Sequence, residues 1–253
     1  MRWRSSLLAS LAAAAALAAR GGDGTLRFDL SGVRAERDSF IYKVDGTDAG
    51  YEVWQYQPQP GAVVFTQVSE LGPVFSERSR VILDRATGLP TASYQHTEFF
   101  SPATDTVFVE HDLHLSGGRL RGSRRIGTKE GKIRSGTLDR RLRSGTVWSG
   151  AAIFMAPFAA LSPGDSVSVA AYDEADDTLT RLSMRAGPED TVTVPAGHFT
   201  VVPISTGGLT LLVSTGAARR VVRALAPEQH AVFDLAGTGP PVSPPPAPPP
   251  RDR

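Results

Sequence analysis

Cysteine is absent from all 253 residues, which removes disulfides, thiolate nucleophiles and thiolate metal sites together. It also removes the residue that carries the acyl chains of a bacterial lipoprotein, so no lipid anchor is expected. Asparagine is missing as well, and only Lys43, Lys129 and Lys132 among the 27 basic residues are lysine. A GC-rich coding bias accounts for both, so arginine is not read as chemical selection. No apolar run reaches the roughly 20 residues that a spanning helix needs. The N-terminal one, Leu7 to Ala19, carries no charge, follows Arg2 and Arg4 and ends with Ala16-Leu17-Ala18 just before Arg20. A charged start, a short apolar stretch and an A-x-A site predict a secretory signal at 1–19. The expected product is exported, periplasmic or extracellular, with no transmembrane span in the mature chain.

Charge of one sign is scarce overall, for the formal net charge is +1, and nothing global points to nucleic acid. Its distribution is uneven. Residues 119–143 hold ten basic and two acidic side chains, while the segments on either side are mildly acidic. Arg119, Arg121, Arg124, Arg125, Arg140, Arg141 and Arg143 therefore form a candidate anionic-ligand patch, as guanidinium groups pair well with phosphates. Charged residues also blunt exposed sheet edges, and both readings stay open.

What the chain has in quantity is short alternating runs divided by turn residues, the mark of consecutive strands. Phe40, Tyr42 and Val44 alternate with Ile41, Lys43 and Asp45; Asp45 to Gly50 supplies turn chemistry; Tyr51 to Tyr56 returns. Similar runs begin at Ala62, Val74, Ala92, Val107 and Arg119. After an interruption they resume at Ser166, Thr178, Thr191, Phe199, Leu209, Arg219 and Ala231. About fourteen strands are too many for a flat sheet. The expected fold is all-β, a large antiparallel meander curved into a half-open or closed barrel. The interruption, Gly150 to Leu161, is apolar and contains Pro157, which predicts one short helix or apolar loop near residues 150–161. The expected organisation is an N-terminal lead-in at 20–37, a single β domain at 38–237 and a Pro-rich tail at 238–253, which proline bars from any ladder.

Familiar catalytic patterns lack a residue that their mechanisms require. Asp165-Ser166 looks like the block of a lipase-like hydrolase, but there is no Asn and no downstream Asp-x-x-His. The reading is a turn entering a strand. Gly122 to Lys132 has phosphate-loop glycine spacing with Thr128 where lysine is needed and no helix after it. His111 and His114 lie three apart on a strand and so face opposite sides, which argues against one metal ion between them. Asp173 to Asp177 reads as a solvated hairpin tip rather than a calcium loop. No catalytic residue, cofactor or metal site is expected.

One run, VTVPAGHFTVVPI from Val192 to Ile204, is chemically conformational: Pro195 closes a strand, Gly197 permits a strained turn and Phe199 returns to the core. It resembles the V-P-A-G-x-F signature of bacterial envelope proteins grouped as domain of unknown function 3108. FIYKVDGTDAGYEVWQY (Phe40 to Tyr56), the Leu-Ser-Pro-Gly-Asp after the apolar segment, and RRVVRALAPEQHAVFDLAG (Arg219 to Gly237) extend the resemblance over residues 38–237. His198 stands where that signature more usually has a small residue or Thr. The resemblance implies an exported antiparallel β fold and carries over no catalytic residues. The leading expectation is a non-enzymatic envelope protein binding a lipid or other amphipathic molecule on a concave β surface. The alternative is a structural or protein-interaction module of the periplasm that uses a sheet edge and the Pro-rich tail to hold another protein.

Overall fold

The computed structural model describes residues 26–241 apart from Pro73, 101–104, Ala175 and Ala217. The predicted signal at 1–19 and residues 242–253 of the tail lie outside the described residues. Sixteen strands form one sheet. The first eight are β1 (Glu36–Val44), β2 (Thr47–Gln59), β3 (Ala62–Leu71), β4 (Phe75–Asp84), β5 (Pro90–Phe99), β6 (Thr106–Ser116), β7 (Arg119–Thr128) and β8 (Ile133–Arg141). Then come β9 (Val147–Trp148), helix α1 (Ser149–Met155) and a 3-10 turn at Ala156–Phe158. The rest are β10 (Ser166–Asp173), β11 (Thr178–Ala186), β12 (Asp190–Val194), β13 (Gly197–Thr206), β14 (Leu209–Ser214), β15 (Val221–Ala226) and β16 (Ala231–Gly239).

The sheet is two meanders joined in the middle. Strands β1 to β8 follow each other to one edge, β16 back through β9 lead to the other, and β1 pairs antiparallel with β16. Among the described residues only the short β9–β10 pair is parallel. Fifteen strands side by side in a flat sheet would span roughly 65–70 Å at the usual spacing. Yet the two edge strands, β8 and β9, are joined by only the five residues 142–146, which reach at most about 20 Å. The sheet must therefore coil back on itself. It does so without a hydrogen-bonded seam, giving the half-open barrel expected from the strand count.

Alternation explains the filling. On β2, Trp54 and Tyr56 point inward; their cross-strand partners on β3 are Gln67 and Phe65, then Ser79 and Val81 on β4. The apolar end of this wall is covered by the predicted interruption. Phe154 of α1 stacks on Phe65 with ring centroids 3.7 Å apart and meets Trp54 edge-on, while Phe158 meets Tyr56. The lead-in joins this core and is part of the packed domain. Leu26, Phe28 and Leu30 are buried, and Phe28 bridges Ala159. Three alternating apolar residues are enough to form one more extended segment against the plug. At the other terminus β16 runs through Gly239, two residues into the stretch assigned to the tail. Among the described residues no helix is long and apolar enough to cross a membrane.

Candidate functional site

Moving along the barrel from its apolar end, the inward positions become polar. Glu52, Ser69, Glu77 and Thr97 stand opposite one another across β2 to β5, and Gln67, Ser79, Gln95, His111 and Arg124 form the adjacent row. Trp54 Nε1 and Gln67 Nε2 both donate to Glu52 Oε1, the latter at 2.7 Å. Gln95 Nε2 and Thr97 Oγ1 each donate to Glu77 Oε2 at 2.9 Å. Burial, reinforced by nearby Glu77, pushes the Glu52 carboxyl up to about 8; burial also raises Glu77. Each carboxyl thus has its hydrogen-bond partners, as buried polar groups require.

Ser93 Oγ lies 3.1 Å from His111 Nε2, a pairing that invites comparison with a nucleophile and its base. It does not qualify. Both residues are buried, and desolvation with the Arg124 guanidinium beside it holds the imidazole neutral down to about pH 4. A base must accept a proton near the working pH; here the orienting carboxylate of a triad is replaced by a cation. His114, by contrast, is exposed on the opposite face of β6 beside Asp112. No metal-capable cluster occurs among the described residues.

A cleft of about 710 Å³ opens at the turn between β12 and β13. The turn is tight: Val194 pairs directly with Gly197, whose φ of 137° is open to glycine and closed to ordinary residues. Pro195, Ala196 and Phe199 line one side, Ala218 and Ala236 the other. Thr200, Ser214, Thr215 and Thr238 line it as well. The hairpin is held against the barrel by Ala196 N donating to Leu235 O and by Thr215 N donating to Thr200 O. His198 is exposed at the rim, its Nδ1 3.0 Å from Thr193 Oγ1.

Arg220 closes the cleft from below. Its two terminal nitrogens donate to Asp38 at 2.7 Å and Glu36 at 2.8 Å, which are neighbours on one face of β1. Asp38 is 1 % exposed, and burial pushes its carboxyl up to about 7 against the opposing pull of Arg220. The guanidinium is thereby committed to protein carboxylates. Ser214 Oγ donates to Ala218 O, which fixes the loop above it. The cleft has hydroxyls and apolar carbon to offer and no uncommitted charge at its base.

The basic patch is split by the register. Arg119, Arg121 and Arg125 alternate with Arg124 on β7, and Arg141 alternates with Arg140 on β8. Arg124 faces inward beside His111, with its Nε buried and unbonded. Arg119 grips Asp139 with bonds of 2.6 and 2.8 Å, Arg121 stands 3.9 Å from the same carboxylate, and Arg125 binds Glu110 at 3.1 Å. Arg140 reaches across the open seam to Asp177 at 2.6 Å. Arg141 and Arg143 are exposed and make no ion pair among the described residues.

That seam contact corrects the reading of Asp173 to Asp177 as a solvated tip. Glu174 is buried and accepts hydrogen bonds from Ser149 Oγ and Gly150 N at the start of α1, while Asp177 also accepts from Tyr172. The tip packs because Glu174 fills donors that the plug would otherwise leave unpaired, while Asp177 ties Tyr172 of β10 to Arg140 of β8. Asp165 is an ordinary turn former, accepting from Ser162 N. Searches of protein-family models, curated proteins and solved structures find no match to this chain.

Proposed function

We propose that this chain is a non-enzymatic, exported envelope protein that binds an amphipathic molecule at the open end of its β barrel. The observation that carries this reading is the cleft beside the V-P-A-G-H-F turn. Its volume of about 710 Å³ falls within the range of pockets that enclose small ligands. Its lining includes both apolar and hydroxyl-bearing residues, which suits a molecule with both kinds of surface. The apolar half of the concave face is filled by α1 and the lead-in, so the proposed seat lies at the rim. The charged start and apolar run at 1–19 support export, and the resemblance over residues 38–237 is in keeping with an envelope setting.

Titration with N-phenyl-1-naphthylamine, an uncharged apolar dye, tests the seat. The full chain is expected to enhance its fluorescence saturably. Thr238→Trp, which fills the cleft from an exposed position, should weaken binding at least tenfold while the circular dichroism spectrum stays the same. Equal binding by both proteins would rule the cleft out as the seat. A second reading, interaction through a sheet edge, has separate support in β8, which pairs with β7 alone.

A further inference from the structure

We propose that the outer edge of β8 is a docking site for an acidic extended segment of another protein, which would add to the sheet as a further strand. The proposal rests on the sheet-edge reading and names the partner's chemistry.

Beyond its pairing with β7, no backbone hydrogen bond joins Ile133–Arg141 to any other strand among the described residues. Every residue from Ile133 to Thr137 is exposed, and Leu138 alone on the strand is buried. Alternate amides and carbonyls of an edge strand point outward and form a template for another strand. The strand at the other end of the sheet, β9, is two residues long and buried, and β12, which also pairs on one side only, has five residues against nine in β8.

Charge selects the partner. Arg134 and Arg141 on β8, with Arg143 just beyond it, are exposed and unpaired among the described residues. Arg134 occupies one face of the strand and Arg141 the other, because their separation is odd. A membrane surface approaches from one side and would meet only one of these faces. A strand laid along the edge has side chains above and below the sheet and meets both. A second copy of β8 satisfies the cations less well: antiparallel pairing centred on Thr137 would set Arg134 against Arg140, like charges that destabilise a pair, and pairing centred on Leu138 would give Arg134, Arg140 and Arg141 only Leu142, Gly136 and Ser135. An acidic segment with carboxylates on both faces satisfies the edge and its cations together.

Fluorescence anisotropy with capped nine-residue peptides tests this on the full chain. The peptide Glu-Glu-Val-Val-Glu-Glu-Val-Val-Glu (Glu/Val), which carries carboxylates on both faces of a strand, is expected to bind at least tenfold more tightly than Lys/Val and Thr/Val peptides of the same pattern. N-methylation of one of its two alternate sets of amides should abolish binding, because the ladder needs those donors. The variant R134E/R141E/R143E, all at exposed positions, should lose the Glu/Val peptide tenfold or more and gain the Lys/Val peptide. Equal binding of Glu/Val and Thr/Val peptides would overturn the acidic partner and leave the sheet-edge reading standing. Binding that ignores both N-methylation patterns would reduce the site to loose charge attraction and overturn strand addition. Absence of peptide binding, whether or not vesicles of phosphatidylcholine and phosphatidylglycerol bind, would overturn both the proposal and the edge reading.

Discussion

Arg220→Met is expected to cost about 3–5 kcal/mol of stability at pH 8, the range for removing one partner of a buried ion pair. Its side chain is 13 % exposed and that of Asp38 only 1 %, so water cannot replace the lost guanidinium. The pH dependence makes the cause identifiable. Unfolded Asp38 ionises near pH 4, whereas in the folded protein burial holds it up to about 7. At pH 8 the substitution takes the counter-ion from an ionised Asp38, whose carboxyl then moves further up and must be held protonated or as a buried anion, either at a cost in stability. At pH 5 the native Asp38 carboxyl is protonated, so the same substitution mainly costs packing and the bond to Glu36. Urea unfolding at the two values should therefore show a clearly smaller loss at pH 5. Equal losses would mean that Asp38 is not the group being stabilised. Asp38→Asn introduced beside Arg220→Met should restore part of the stability at pH 8, since no buried carboxyl then has to be kept protonated or charged.

Glu52→Gln is expected to stabilise the protein at alkaline pH. A carboxyl whose folded value is raised contributes stability that is complete below its unfolded value and is lost as pH climbs to the folded one. For Glu52 that window runs from about 4.5 to about 8. Between pH 6.5 and 8 its proton alone should tilt stability downward by about 1–2 kcal/mol, at about 1.4 kcal/mol per unit. Asp38 and Glu174, both held up to about 7 by burial, add to the lower part of the same decline. His111 acts in the opposite sense, but only below about 6.5, because its folded value is depressed to about 4. The amide that replaces the Glu52 carboxyl keeps an oxygen for Trp54 and Gln67 and cannot ionise. The variant should show a flatter profile from pH 6.5 to 8 and exceed the parent at pH 8.5. A parent that gains stability across this window would contradict the buried, protonated carboxyl.

The strands are legible in the sequence because alternation reports directly on two faces, as at Phe40, Tyr42 and Val44. The apolar interruption is legible from its composition, although only the structure places Phe154 on Phe65. Strand order is harder. Nothing local in Glu36–Val44 indicates that its second neighbour lies about 190 residues onward in Ala231–Gly239, since pairing at that distance depends on the closure of the whole sheet.

The buried polar rows leave a signal that alternation alone does not interpret. Glu52 keeps phase with Trp54 and Tyr56, Glu77 with Val81 and Leu83, and His111 with Leu113. A polar residue in the apolar phase marks a hydrogen-bonded interior, but its partners sit on other strands. The cleft is half legible. The V-P-A-G-H-F run marks the turn that forms one wall, while Ser214 and Ala236 come from strands, and Arg220 from the loop before β15, whose neighbours are set by the fold. The basic patch is legible as composition and its division between two faces as alternation; the partners its arginines meet follow only from the register. Arg140, meanwhile, is drawn to the acidic tip it faces across the seam.

The binding role is tested most directly by mass spectrometry of the organic extract from full-length protein purified out of an envelope fraction. An amphipathic species near one molecule per chain is expected in the parent protein and should be lost from Thr238→Trp. A parent protein that carries no such species, or a variant that carries as much, would contradict binding at the cleft.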